Sequence, residues 1–232
     1  MARQDDPQWR EAACLVLMFK APARSKRRLA AAIGSLAEEL AERLCQCALE
    51  DLQSWPGPVC YAPSAEADRR WLAARPHAAA PVIMQGDGNL GERINQIDRS
   101  LRDLGFAQLI FIGIDCPLLD AHYLAEAARL LRDNDAVLGP ADDGGVVLMG
   151  ASRAWPQLGA LDWSSAALGA QLADLCDSQE WRIARLAQLA DTDTVEDLAP
   201  LAQRLRRDAR PARLALRDWL ARHALDRQAV PQ

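Results

Sequence analysis

Two aspartates stand after apolar segments at distant places in the chain. Asp115 follows the run 109–114 (Leu-Ile-Phe-Ile-Gly-Ile), and Asp193 follows a weaker apolar segment that ends near residue 186. A carboxylate at the carboxyl end of a buried strand faces the crevice in which open α/β sheets bind ligands. Mg²⁺ takes few protein oxygens and keeps water and phosphate as its other ligands. We therefore predict that Asp115 and Asp193 hold one Mg²⁺ or Mn²⁺ ion; a helix N-cap is the alternative for Asp115, although Asp120 is better placed to cap.

The chain has two lysines, and both lie in the polar loop that follows the first apolar run. Lys20 and Lys26 stand there together with Arg24, Arg27 and Arg28. Cations gathered at the carboxyl end of a strand are suited to grip phosphate groups. We predict that Lys20, Lys26 and Arg28 bind the phosphates of a nucleotide. A solvated basic loop is the alternative.

The segment 142–145 (Asp-Asp-Gly-Gly) joins two short apolar runs and contains a second candidate group. Two adjacent carboxylates about 4 Å apart repel each other by roughly 4 kcal/mol at an effective dielectric constant near 20, unless a cation lies nearby or the side chains diverge. Gly144 and Gly145 would let the backbone approach a nucleotide closely. We predict catalytic roles for Asp142 and Asp143, while an ordinary Asp-Gly hairpin turn remains the alternative.

Residues 86–91 (Gly-Asp-Gly-Asn-Leu-Gly) match the spelling of a dinucleotide-binding fingerprint. Such a fingerprint belongs in the first strand–helix turn, whereas this one lies in mid-chain and its Asp87 would repel a pyrophosphate. The glycines are therefore expected to shape a loop. That loop leads to Glu92 and Arg93, which we predict to contribute to nucleotide binding.

Apolar runs of strand length alternate with amphipathic segments along most of the chain, which is typical of an α/β fold with a mostly parallel sheet and helices on both faces. One large domain is expected at residues 12–200, followed by a basic helical extension at 201–232. Strands are expected at 14–19, 59–62, 81–84, 109–114, 136–138, 146–149 and 182–186, and helices at 36–48, 65–74, 90–104, 121–132, 164–175, 195–207 and 212–225.

Composition limits the classes of partner. The 232 residues are 50% hydrophobic and carry a net charge of −5, although the last 32 residues hold eight Arg against three Asp. An acidic body argues against a nucleic-acid-binding protein. The polar residues 1–10 lead us to expect no signal peptide. No apolar run in the sequence is long enough to span a membrane, and its six Cys form no CxxC pair. We predict a cytoplasmic protein with reduced, mostly buried thiols and small-molecule substrates; the sequence leaves the oligomeric state open.

The order of these motifs resembles the bacterial family of radical-SAM/selenodomain-associated transferases, which are glycosyltransferases of GT-A fold. More distantly, it resembles the molybdopterin and phospholactate guanylyltransferases. The first loop departs from the family pattern because it is shorter and lacks a Pro-Gly turn. The matching segments are 19–22 (Phe-Lys-Ala-Pro), 26–29 (Lys-Arg-Arg-Leu), 90–93 (Leu-Gly-Glu-Arg), 113–117 (Gly-Ile-Asp-Cys-Pro), 138–145 (Leu-Gly-Pro-Ala-Asp-Asp-Gly-Gly), 163–164 (Trp-Ser) and 191–198 (Asp-Thr-Asp-Thr-Val-Glu-Asp-Leu).

The resemblance implies a GT-A (nucleotide-diphospho-sugar transferase-like) fold with a nucleotide site formed by the first loop. It also implies a metal between Asp115 and the last-loop acid, with Asp143 and the following glycines on the acceptor side. The expected activity is transfer of a sugar from a nucleotide-sugar to a small-molecule acceptor, with Asp143 orienting the acceptor or acting as a base. Two alternatives are a nucleotidyltransferase that releases pyrophosphate and a catalytically degenerate nucleotide-binding protein.

Overall fold

The fold is built on a single six-stranded sheet. The computed structural model describes residues 11–77 and 79–226, except for the side chain of Arg27. The strand order is β2-β1-β3-β5-β4-β6, and β5 alone runs antiparallel to its neighbours. This confirms the predicted mostly parallel sheet. The strands are β1 Cys14–Phe19, β2 Val59–Pro63, β3 Leu109–Ile112, β4 Ala136–Pro140, β5 Val146–Ala151 and β6 Ile183–Arg185.

Helices connect the strands and follow the last of them. Within the described residues the α-helices are α1 Arg27–Ile33, α2 Leu36–Ser54, α3 Glu66–Ala73, α4 Leu90–Asp103, α5 Ala121–Leu130, α6 Leu168–Ser178, α7 Leu198–Arg204 and α8 Pro211–Arg222. Two 3-10 turns lie at Pro22–Arg24 and Leu205–Arg207. Across the described part of the chain, no helix combines the length and the apolar character needed to cross a membrane.

Both faces of the sheet are buried, which explains why its strands are continuous apolar runs. In β1, Leu15 and Leu17 point into a core that contains residues of α2 and α5. Cys14 and Val16 point to the opposite face, into a core that contains residues of α4 and α6. The helices therefore cover both faces, as predicted. All six cysteines are buried and none is in a disulfide, which confirms the predicted thiols.

The C-terminal helices α7 and α8 pack against α1 and α2. A third apolar cluster joins Leu29 of α1, residues of α2, and Leu201 and Trp219 from beyond residue 200. The guanidinium of Arg213 lies within this contact region and is fully buried. The proposed boundary at residue 200 thus lies inside helix α7, whose Leu198 and Leu201 both belong to this cluster, and the two-part division remains a prediction.

Some of the expected elements differ from the structure in extent or type. The segment 81–84 forms only an isolated bridge between Val82 and Tyr61, because Pro81 has no N–H to donate to a ladder. The loop predicted at 20–28 ends earlier, since α1 already begins at Arg27. Helix α6 begins at Leu168 rather than at residue 164, because Ser164 has a positive φ of 75° and cannot continue a right-handed helix.

Candidate active site

The site lies where loops leave the carboxyl ends of neighbouring strands. Strands β2 and β3 lie on opposite sides of β1, and both run parallel to it. The order of the strands in the sheet therefore changes direction at β1. Ligands of open α/β sheets bind at such a switch point, outside the carboxyl ends of the strands. The loop after β1 carries Lys26, the loop after β3 carries Asp115, and the segment after β6 carries Asp193.

Lys26 brings the two predicted metal ligands together. Its ammonium forms an ion pair with Asp115 Oδ1 and a second one, at 2.8 Å, with Asp193 Oδ1. It also donates a hydrogen bond to the carbonyl oxygen of Thr192. The Lys26 side chain is only 4% exposed, whereas those of Asp115 and Asp193 are 47% and 40% exposed. Asp115 and Asp193 therefore converge on one cation at the edge of the sheet and keep access to solvent.

Lys26 lies at the junction between the loop after β1 and helix α1. It precedes the first residue of α1 and adopts the left-handed conformation, with φ 52° and ψ 41°. A non-glycine residue pays a conformational cost there and keeps this backbone only when its surroundings hold it. Burial alone would lower the pKa of the Lys26 ammonium, but the charges and hydrogen bonds of Asp115 and Asp193 outweigh burial and raise it. The Lys26 amine is therefore held in its protonated form, and its contacts fix its position.

A further carboxylate enlarges the acidic surface. Burial raises the pKa of Asp191 to about 6, and the nearby charges of Asp143, Asp193 and Asp115 add to this effect. In the described part of the chain, no three His, Cys, Asp or Glu side chains are grouped as a ready-made metal cage. Two carboxylates nevertheless suit Mg²⁺ or Mn²⁺ when water and phosphate oxygens complete the coordination. The donor set thus fits the predicted metal when water or phosphate oxygens supply the remaining ligands.

The loop 142–145 borders a depression next to these acids. Asp143 Oδ1 accepts a hydrogen bond from Gly145 N at 2.8 Å, and Asp142 is paired with Arg204 at 3.2 Å. A Cβ on Gly144, which has φ +89°, would lie 2.2 Å from the carbonyl oxygen of Ala166. The turn is therefore packed against the segment before α6. The depression has a volume of about 400 Å³ and is lined by Asp142, Asp143, Ala190, Asp191, Asp197, Pro200 and Arg204.

The other predicted phosphate ligands occupy different settings. Lys20 and Arg28 are exposed on the loop after β1 and at the start of α1. Arg24 instead pairs with the buried carboxylate of Asp68 at 2.8 Å. The five clustered cations therefore do not share one role. Lys26 binds Asp115 and Asp193, whereas Arg24 connects its loop to Asp68 on α3. The side chain of Arg27 lies outside the described part of the chain.

Glu92 and Arg93 belong to the beginning of α4. Glu92 accepts a hydrogen bond from Asn89 N at 2.7 Å, while Asn89 Oδ1 accepts one from Glu92 N at 3.0 Å, which completes a capping box. Arg93 Nε donates to the carbonyl oxygen of Gly88 at 2.8 Å. The glycine-containing loop thus serves the helix start, as expected. No contact in the described residues joins Glu92 or Arg93 to Lys26.

Two further aspartates have local structural roles next to the site. Asp120 does cap α5, because its carboxylate accepts a hydrogen bond from Tyr123 N at 2.7 Å. Asp197 accepts hydrogen bonds from Asp193 N and Thr194 N, and α7 begins only at Leu198. The Asp197 carboxylate thereby fixes the turn that presents Asp193. Asp115 is not occupied in capping, which leaves it available to the cation.

Several participants were not predicted. The carbonyl oxygen of Thr192 is a backbone atom, and no side-chain pattern could have indicated it. Its hydroxyl is buried without a hydrogen-bond partner among the described residues. Arg204 lines the depression from α7, just beyond the matching segment 191–198, and falls within the predicted basic C-terminal extension. Cys116 is a poor nucleophile, because burial raises the pKa of its thiol to about 12.

Comparison with known proteins places the chain in a family. The model of the family DUF2064, described as "uncharacterized protein conserved in bacteria", matches residues 45–165, more than half of the chain. The chain belongs to this family. The matched region contains Asp115 and the loop 142–145, whereas Lys26 and Asp193 lie on either side of it. No curated protein sequence shows significant similarity to this DUF2064 member.

Solved structures share the fold. A candidate nucleotide-diphospho-sugar transferase from Desulfovibrio desulfuricans G20 superposes with a TM-score of 0.84 at 22% identity, covering 93% of this chain and 97% of that one. A cytidylyltransferase from Leptospira borgpetersenii gives 0.55 at 11% identity, with 96% and 100% covered. CMP:2-keto-3-deoxy-manno-octonic acid synthetase in complex with CTP gives 0.53 at 10% identity, with 82% and 96% covered. These similarities establish the nucleotide-diphospho-sugar transferase-like fold of the DUF2064 chain.

Proposed function

We propose that this protein is a metal-dependent transferase that uses a nucleotide-activated substrate, specifically a nucleotide-sugar. The observation that carries the proposal is the convergence of Asp115 and Asp193 on a single ammonium at the carboxyl edge of the sheet. Two carboxylates brought from distant parts of the chain to hold one cation are what a shared metal requires. The fold and the solved neighbours support the coarser class, a transferase that uses a nucleotide substrate.

The proposed metal is Mg²⁺ or Mn²⁺, held by Asp115 and Asp193. Its chemistry would be to neutralise the charge that develops on a departing diphosphate. Lys20, Lys26 and Arg28 would bind phosphate oxygens and orient the leaving group, which is the main protein contribution in reactions of this kind. Glu92, Arg93 and the backbone at Gly144 and Gly145 are proposed to contribute to nucleotide binding.

The acceptor would occupy the depression beside the loop 142–145. In the proposed reaction, the bond between the sugar and the diphosphate oxygen breaks, and a bond forms between the same sugar carbon and the acceptor oxygen. Asp143 is exposed and would take the acceptor proton or orient the acceptor hydroxyl. Asp142 is held by Arg204 and is proposed to support the loop that carries Asp143.

The proposal is tested by a thermal-shift screen of nucleotides and nucleotide-sugars with and without Mn²⁺. We expect a subset of ligands to raise Tm in a Mn²⁺-dependent manner and Asp115→Asn to abolish the Mn²⁺-dependent part. Asp174→Asn is the matched control, because Asp174 is exposed on α6 and distant in sequence from the site. An unchanged shift in Asp115→Asn would remove this residue from the site.

Incubation of the ligands that pass this screen with a panel of acceptors identifies the reaction. Release of a nucleoside diphosphate is the outcome expected of sugar transfer. Release of pyrophosphate from a nucleoside triphosphate would instead show nucleotidyl transfer. Metal-dependent binding without turnover of any acceptor would indicate a binding protein that has kept the fold.

A further inference from the structure

The ammonium of Lys26 occupies the position at which a bound metal would be expected. It lies against one oxygen of Asp115, one of Asp193 and the carbonyl oxygen of Thr192. A lysine ammonium has three N–H donors and no acceptor. Three oxygens therefore use its entire hydrogen-bonding capacity. In this state, Lys26 has no donor left for a phosphate group.

We infer that Lys26 is an internal substitute for the divalent cation, and that it must leave Asp115 and Asp193 before that cation can bind. This inference rests on the proposed function and deepens it. The exchange would move the ammonium from the aspartates to the incoming phosphate, while the divalent cation takes its place on the carboxylates. Metal and nucleotide would then bind together. The divalent cation replaces the ammonium on the two carboxylates, and the phosphate of the nucleotide accepts the displaced ammonium.

Distance and charge make the two cations mutually exclusive. Mg²⁺ lies about 2.1 Å from its oxygen ligands. An ion shared by the same oxygens of Asp115 and Asp193 would overlap the space that Nζ of Lys26 fills, since Nζ is only 2.8 Å from Asp193 Oδ1. An ammonium in contact with a divalent cation would also repel it strongly. The carboxylates can therefore hold either cation, but not both in this arrangement.

The side chain of Lys26 is able to make the exchange. Its ammonium is carried on a flexible four-carbon stem, so rotation within the side chain moves it by several ångströms without unfolding of the loop. Lys20 and Arg28 on the same loop are exposed and have no comparable contact with the acids in the described residues. The cation-substitute role is thus particular to Lys26 and is not shared by its basic neighbours.

Binding of Mn²⁺ alone, followed by electron paramagnetic resonance in the absence of nucleotide, tests the inference. The variants Lys26→Met and Lys26→Gln both remove the competing charge. We expect each to bind Mn²⁺ at least about tenfold more tightly than the natural protein, because a unit charge in contact with the ion opposes its binding even when water screens it. Arg132→Met removes an exposed charge between α5 and β4, away from the proposed ligands; it is the matched control and should bind Mn²⁺ as the natural protein does.

The outcomes separate this inference from the proposed function. Mn²⁺ affinities of Lys26→Met and Lys26→Gln that equal or fall below that of the natural protein would overturn the exchange. If Asp115→Asn added to Lys26→Met removes the gained affinity, the ion is bound at the proposed carboxylates. If that double variant keeps the gained affinity, the ion lies elsewhere, and both the exchange and the proposed metal site fail. Lys26→Arg retains the charge and should leave Mn²⁺ binding weak.

Discussion

Arg213 provides the sharpest stability prediction, because its guanidinium is fully buried in charge-assisted hydrogen bonds. It contacts Asp51 Oδ2 at 2.5 Å and Glu50 Oε2 at 2.9 Å on α2. It also donates to the carbonyl oxygens of Pro117 and Leu119, at 3.0 and 3.1 Å, in the loop that carries Asp115. Helix α8 is thereby tied both to α2 and to the site loop.

Replacement of Arg213 by Leu should lower the free energy of unfolding by about 3–5 kcal/mol, because it leaves a buried carboxylate without its main partner. The measurement is urea unfolding at pH 8. Arg222→Leu, at the exposed end of α8, is the matched control and should change stability by less than about 0.5 kcal/mol. The double variant Arg213→Leu/Asp51→Asn also removes the buried charge of Asp51, and it should recover part of the lost free energy of unfolding.

The loss should also depend on pH. Burial raises the pKa of Asp51 to about 6, while Arg213 and Arg210 act in the opposite direction. Without Arg213 the pKa of Asp51 should rise further. A carboxyl group whose pKa is higher in the folded than in the unfolded chain favours folding when protonated, and this advantage disappears as pH rises through the folded pKa. Arg213→Leu should therefore be less destabilising at pH 5 than at pH 8, by about 1 kcal/mol or more per unit of added pKa shift.

Two results would refute this reasoning about Arg213. One is a loss below about 1 kcal/mol at pH 8, which would mean that Asp51 finds other partners or water. The other is an equal loss at pH 5 and pH 8. That result would show that the pKa of Asp51 does not respond to the guanidinium, and the charge would then be irrelevant to the contribution of Arg213.

Two further substitutions test local structure through urea unfolding. Gly144→Ala should destabilise the protein by about 1–3 kcal/mol, because it requires a positive φ and brings a methyl group against the carbonyl oxygen of Ala166. Gly113→Ala, whose Cβ would make only an ordinary van der Waals contact at 3.7 Å from Asp115 Oδ2, should be nearly neutral, and equal losses in both variants would contradict this account. Asn89→Ala should cost about 1 kcal/mol through loss of the cap on Glu92 N, and an unchanged stability would show that α4 begins without it.

The fold was readable from the sequence because its strands are apolar on both faces. β1 was predicted with its observed bounds, and β3 differs from the prediction only at its end, where the chain turns towards Asp115. The helix at Arg27–Ile33 was missed, because its first turn is basic and lacks any capping side chain. Its apolar anchor, Leu29, is buried against residues that lie beyond position 195, and no local pattern reveals such a contact.

The sequence predicted members of the site only where a charged side chain follows a predicted strand. Asp115 and Asp193 were both predicted in this way, and the structure brings their carboxylates to the same ammonium. The contact of Lys26 with both aspartates depends on the tertiary fold, so the sequence suggested a phosphate ligand but not its present partners. Arg213 was included in the basic helical extension predicted at 201–232, although it is buried through partners on α2 and after β3.

Anomalous diffraction from crystals soaked with Mn²⁺ and a nucleoside diphosphate that passes the thermal-shift screen tests the shared-cation site most directly. The account predicts a Mn²⁺ peak within ligand distance of both Asp115 and Asp193, with the Lys26 ammonium displaced towards phosphate. A peak at other residues, with Lys26 still bridging the two aspartates, would contradict it.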